Sequence, residues 1–213
     1  ECVSLENLGW VAGMQGDFEA ARSYHERALL LSHEIVNLYM EIYILINLSA
    51  VTGMANEGET ALAYAQDALE LSRKTGDRSG EAWSWLYMGH AYLVSADLQP
   101  AEDAFRHSIA IRDELGQPGM KMESLAGLIQ TLLLKGDDIA ALRETENIIS
   151  YLESGNALDG AEAPLRIYYA CYQALEKLRD PRSDNLLQSA VEMLEAQVSR
   201  LRDDESRQMY VEN

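Results

Sequence analysis

Proline is scarce in this sequence, with four in 213 residues, and so is phenylalanine, with two. Few prolines leave long stretches free to run as helix, because proline removes an amide donor and clashes with the preceding turn. Against leucine, alanine, glutamate and tyrosine, the β-branched and Phe residues favoured in strands are sparse, which argues against a pleated core. Two cysteines, Cys2 and Cys171, stand near opposite ends of the chain. A stacked array keeps such ends beyond the ~7 Å limit for a bridge, so both are expected as free thiols. No apolar run reaches the ~18 residues of a membrane span and no signal-peptide pattern opens the chain, which excludes a membrane partner and suggests a cytoplasmic location.

Basic residues are also in deficit. Seventeen Lys and Arg face thirty-five Asp and Glu, a net charge of −18. General affinity for nucleic acid rests on cations displacing counterions from phosphates, so nucleic acid is excluded as a partner, as are anionic membranes. The acidic surface serves solubility, or else a basic partner. With 47% hydrophobic residues there is ample material for a core, and the chain is all-α.

A shift of 40 residues brings small and apolar positions into register without a gap. Leu5, Leu45, Trp85 and Leu125 form one column, Leu8, Leu48, Met88 and Leu128 the next, and Gly9, Ser49, Gly89 and Ile129 a third. Gly16, Asn56, Ala96 and Gly136 then mark a turn, where Gly and Asn tolerate the left-handed backbone that ends a helix and Ala96 is the exception. Asp17, Asp97 and Asp137 can cap the following helix, whereas Glu57 would cap poorly. Ala21, Ala61, Ala101 and Ala141, then Ala28, Ala68, Ser108 and Ile148, allow close helix approach. Each unit is therefore a helix pair that buries its apolar face only against neighbours, the mark of a solenoid.

These columns resemble the tetratricopeptide repeat. The third unit carries the resemblance best, through Trp85, Met88, Gly89, Tyr92, Ala101, Phe105 and Ser108. The family's usual period is 34 residues. Six more, shared between two helices at 1.5 Å rise, lengthen each by ~4.5 Å, close to one turn. The resemblance implies a right-handed superhelical solenoid of antiparallel helix pairs over residues 1–213, with repeats at about 2–36, 37–76, 77–116 and 117–156, a degenerate fifth pair at 157–202 and a terminal helix at 203–213. Arrays of this period are similar to sensor arms of bacterial multidomain signalling ATPases and transcription regulators. The opening ECVSLENLGW is already in helical period with no start signal, so the chain reads as a piece of a longer protein.

No catalytic constellation is visible. His25, His33, His90 and His107 fall in different units or on different faces and form no metal set, there is no phosphate loop or nucleophile elbow, and no carboxylate pair is bracketed so as to raise one pKa. An enzyme, a metal and a cofactor are therefore not expected. In the family, the first helix of each pair lines a concave groove, which here implies Val3, Glu6, Trp10 and Met14, then Tyr43, Ile46, Ala50 and Met54, then Trp83, Leu86, His90 and Val94, then Glu123, Ala126, Gln130 and Leu134. The Lys and Asn clamp of chaperone-tail binders is absent, since Glu6, Ile46, Leu86, Ala126, Trp10, Ala50, His90 and Gln130 occupy those positions. An apolar peptide or amphipathic helix suits the lining, with a small-molecule effector or a ligand-free spacer as alternatives. For Trp83, Trp85 and Tyr43 the competing reading is core packing. An uncapped first repeat would also leave an apolar face able to self-associate.

Overall fold

The computed structural model describes residues 1–199; the expected terminal helix at 203–213 lies outside them. Ten α-helices and no strand occur among the described residues. The described residues form two compact units, 1–97 and 98–199. The first holds α1 (Cys2–Met14), α2 (Phe18–Glu34), α3 (Leu38–Met54), α4 (Gly58–Thr75) and α5 (Arg78–Val94). The second holds α6 (Leu98–Glu114), α7 (Pro118–Lys135), α8 (Asp138–Glu153), α9 (Pro164–Lys177) and α10 (Arg182–Val198).

The turns repeat twice as often as the 40-residue register suggests. Val36, Gly76 and Gly116 share the left-handed backbone of Gly16, Asn56, Ala96 and Gly136, with φ between 53° and 77°. The amide of the next residue then reaches back five positions, as from Asp17 to the Ala12 carbonyl (3.0 Å), Asn37 to Ser32 (3.0 Å) and Asp77 to Ser72 (2.9 Å). This is the Schellman closure, which satisfies carbonyls that the end of a helix leaves open. The capping residue sits at that same position. Asp17, Asn37, Asp77 and Asp137 each accept from the amide three residues on, at 2.9–3.1 Å. Glu57 and Gln117 make no such bond. Ala96 takes the left-handed conformation despite its Cβ, as does the β-branched Val36.

The alanine columns explain the close packing. Ala21, Ala61, Ala101 and Ala141 are all 0–1% exposed, and Ala28, Ala68, Ser108 and Ile148 are fully buried. In the first unit, Ala28 of α2 joins Cys2, Leu5, Ile44 and Leu48 in one apolar cluster, and Ala21 joins Ala12 and Val51 in another. These clusters seat α2 between α1 and α3. In the second unit Phe105 of α6 is buried against Gly127 of α7, in space that a Cβ would need. Ties across the surface connect helices too, with Arg22 to Glu57 at 2.6 Å in the first unit and Lys135 to Glu102 at 2.6 Å in the second.

The degenerate fifth pair departs from the expected start of its first helix. The sequence reading begins it at Ala157, whereas α9 begins at Pro164 and the preceding residues form turns. Gly155 and Gly160 both have positive φ, at 77° and 81°, which no continuous helix accommodates. Proline then supplies the first helical residue, where its missing amide costs nothing.

Candidate functional site

Register places four stripes on the first helices of the pairs, three of them in the first unit. Their exposed members are apolar. Trp10 and Met14 of α1, and Tyr43 and Met54 of α3, are 39–49% exposed, while His90 and Val94 of α5 are half-buried. Val3 is exposed as well. Single exposed apolar side chains are ordinary on protein surfaces; here they recur along α1 and α3.

Several expected lining residues are withdrawn from solvent. Ile46, Ala50, Trp83 and Leu86 in the first unit, and Ala126 and Glu123 in the second, are at most 8% exposed. The correction has a common cause. Helices of 17 or 18 residues give α3, α5 and α7 more length over which to touch their neighbours, so positions that would line a groove pack instead. Trp83 stacks on Tyr87 with ring centroids 6.3 Å apart, and Tyr87 meets His90 at 6.0 Å. Trp85 is partly covered, with the Arg73 guanidinium 5.7 Å over its ring. Gln130 is half-buried on α7 and Leu134 is exposed near its end.

Glu6 is committed to structure. Its Oε2 accepts from Asn47 Nδ2 at 2.7 Å, and its Oε1 lies 2.7 Å from Nδ1 of the fully buried His25. A carboxylate can only accept, so the imidazole proton is on Nδ1. Glu6 thus joins α1, α2 and α3, which takes it out of the lining set.

A second concavity was not anticipated from the sequence. A trough of about 310 Å³ lies between α2 and α4 above α3, lined by residues that include Leu29, Leu45, Tyr64 and Leu71, with Glu41, Asp67, Glu70, His33 and Lys74 around them. Glu41 holds His33 through a 2.8 Å contact to Nε2. Tyr64, Asp67, Leu71 and Lys74 recur at helical spacing on α4, and that stripe was the available signal.

The second unit holds one carboxyl of unusual character. Burial pushes Glu123 up to about 7, against the amides of Ala163 and Glu162 and the charge of Arg166, which favour ionisation, while Glu162 opposes it. The main cause is desolvation, with the charge of Glu162 a smaller one, and not a bracketed carboxylate pair of the kind looked for in the sequence. Cys171 is buried, which pushes its thiol up to about 12, and Cys2 donates to the Ala28 carbonyl at 3.3 Å. Both cysteines are free. Among the described residues no cluster of three His, Cys, Asp or Glu could hold a metal, and no helix is long and apolar enough to cross a membrane.

A family model described as tetratricopeptide repeat matches residues 2–37, the span of α1 and α2. This is the tetratricopeptide-repeat fold. Solved structures agree. BtubC (BKLC) from P. vanneervenii superposes with a TM-score of 0.69 at 14% identity, over 94% of this chain and 82% of that one. The nearly identical TPR-like repeats of a candidate kinesin light chain from Podosopora anserina give 0.65 at 14%, over 93% and 96%. A Rap protein complexed with Competence and Sporulation Factor gives 0.66 at 17%, over 97% of this chain and 59% of that one. No curated protein sequence matches. Within this fold the alanine columns are buried between paired helices.

Proposed function

We propose that this tetratricopeptide chain is a noncatalytic binding module that takes a protein or peptide on the inner stripe of α1, α3 and α5, and that it serves as the interaction or sensor arm of a larger signalling protein. The observation that carries the proposal is the exposure of Val3 and Met14 on α1 and of Tyr43 and Met54 at the corresponding positions of α3, with Trp10 exposed between the first two. Aromatic and Met side chains offer large contact area at low entropic cost, which suits the apolar face of an amphipathic helix. A Rap protein of the same fold has been solved complexed with Competence and Sporulation Factor, a precedent for ligand binding by such repeats.

The test is a selection of binders from a random peptide library, followed by substitution. Amphipathic sequences with apolar anchors should be enriched, and Trp10→Ala with Tyr43→Ala should weaken them at least about tenfold, roughly 1.4 kcal/mol, without loss of helicity. Binding that survives both substitutions would sink the proposal.

A second reading rests on the trough between α2 and α4. Its volume of about 310 Å³ fits a small molecule, and Glu41, Asp67 and Glu70 favour a cationic one. Saturable thermal stabilisation by a small organic cation, abolished by Leu71→Trp, would favour this reading over the inner stripe.

A further inference from the structure

The turn segment at 156–163 is longer than any other connection within either unit and lies along the start of α7. A Cβ on Gly119 would sit 2.5 Å from the Asp159 carbonyl oxygen, and one on Gly160 would sit 2.5 Å from Met120 Cε. The segment and the start of α7 touch at a glycine on each side. The segment also has its own closures, with Tyr151 Oη donating to the Ala157 carbonyl at 2.8 Å and Asn156 Nδ2 to the Tyr151 carbonyl at 3.1 Å.

One side chain of α7 reaches across to its far end. Glu123 Oε1 accepts from the Ala163 amide at 2.6 Å, and Ala163 is the residue before α9 that has no side-chain cap of its own. In a capping box, an acidic residue of the same helix accepts from that amide. Here the acid comes from another helix, forty positions away. Glu123 is 6% exposed, and its Oε2 is buried with no hydrogen-bond partner. In register, Glu123 matches Val3 and Tyr43, which are exposed, and Trp83, which is packed against Tyr87 of its own helix. At Glu123 the cover is the segment that ends at Ala163.

We propose that residues 156–163 form a strap latched over the inner stripe of α7 by the buried Glu123 carboxyl, and that ionisation of this carboxyl releases the strap. As a neutral acid, Glu123 keeps Oε1 as an acceptor for Ala163 and buries no charge. As a carboxylate it must be desolvated against two amide donors and Arg166, with Glu162 of like charge beside it. Burial outweighs those favourable contacts, and opening the strap returns the charge to water. The strap then uncovers a stripe that it closes when latched, so access to the start of α7 is coupled to proton release near neutral pH.

Amide hydrogen exchange on the intact chain tests this, read by mass spectrometry on peptides covering 152–166 at pH 6 and pH 8 and corrected for intrinsic rates. Protection of this segment should fall at pH 8 by at least about tenfold relative to α7, since each unit between latched and open pKa is a factor of ten. Glu123→Gln keeps an acceptor without a charge and should hold the same protection at both pH values. Glu123→Ala removes the acceptor and should lower protection at both, with α7 and α9 peptides reporting that the unit remains folded. Equal pH dependence in the native chain and Glu123→Gln, or full protection in Glu123→Ala, would overturn the latch.

Discussion

The imidazole of His25 fills the space beside Gly9 that any side chain would need. A Cβ at Gly9 would lie 2.6 Å from the ring's Cε1 and 2.7 Å from Nε2. The ring cannot swing away, because it is fully buried and tied to Glu6 at 2.7 Å. Gly9→Ala should therefore cost about 1–3 kcal/mol in urea unfolding, as overpacked cores do. Gly13→Ala is the control. Its Cβ would meet Ala21 and Val51 at ordinary distances of 3.8 Å, so the gain in helix propensity, up to about 1 kcal/mol, should remain. Equal losses at both positions would contradict the packing account.

Two turns carry a side chain where the backbone favours none. Val36 and Ala96 have φ of 53° and 58°. Left-handed backbone costs an L-residue roughly 1–2 kcal/mol, less in a turn that tolerates it. Val36→Gly and Ala96→Gly should each raise stability by about 1 kcal/mol, measured from denaturant midpoints. Gly136→Ala, at φ 77°, should lower it by a similar amount.

Glu123 predicts a pH dependence of definite sign. Its folded pKa of about 7 lies above the ordinary 4.5, so between those values the folded chain holds a proton that the unfolded chain has lost. Its contribution is therefore full below about pH 4.5 and is lost as pH rises to about 7. Above that the cost is constant, at up to about 3 kcal/mol. Glu123→Gln should flatten this part of the stability profile and raise the melting temperature at pH 8 more than at pH 5. A larger gain at pH 5 would reverse the assignment.

Trp10 and Trp83 separate surface from core. Trp83 is 7% exposed and stacks on Tyr87, so Trp83→Ala should cost about 3–5 kcal/mol. Trp10 is 43% exposed, and Trp10→Ala should change stability by less than about 1 kcal/mol while weakening any ligand of the inner stripe. Thermal unfolding beside a binding titration distinguishes the two effects.

The helix pairs were legible because their signals are local. Asp17 and Asp137 cap the helices that follow them, and the columns from Ala21 and Ala28 are buried wherever they recur. The 20-residue spacing of the turns was harder to read, because Val36 and Ala96 are poor markers of a left-handed residue and hide the glycines that share their role. Tyr43 and Trp83 show the limit at the candidate site. They hold the same register position, yet one is exposed and the other packed, since burial depends on which helix lies alongside.

By itself the sequence determined the helical class, the pairing of helices and the turn inside each of the four repeats, because hydrophobic period, small-residue columns and capping act over a few residues. Only the tertiary structure decided what each stripe does. Desolvation and contact are properties of neighbours distant in the chain, which is why Glu6 became a three-helix tie, Ile46 and Leu86 became core, and Glu123 became a buried acid under a strap forty residues away.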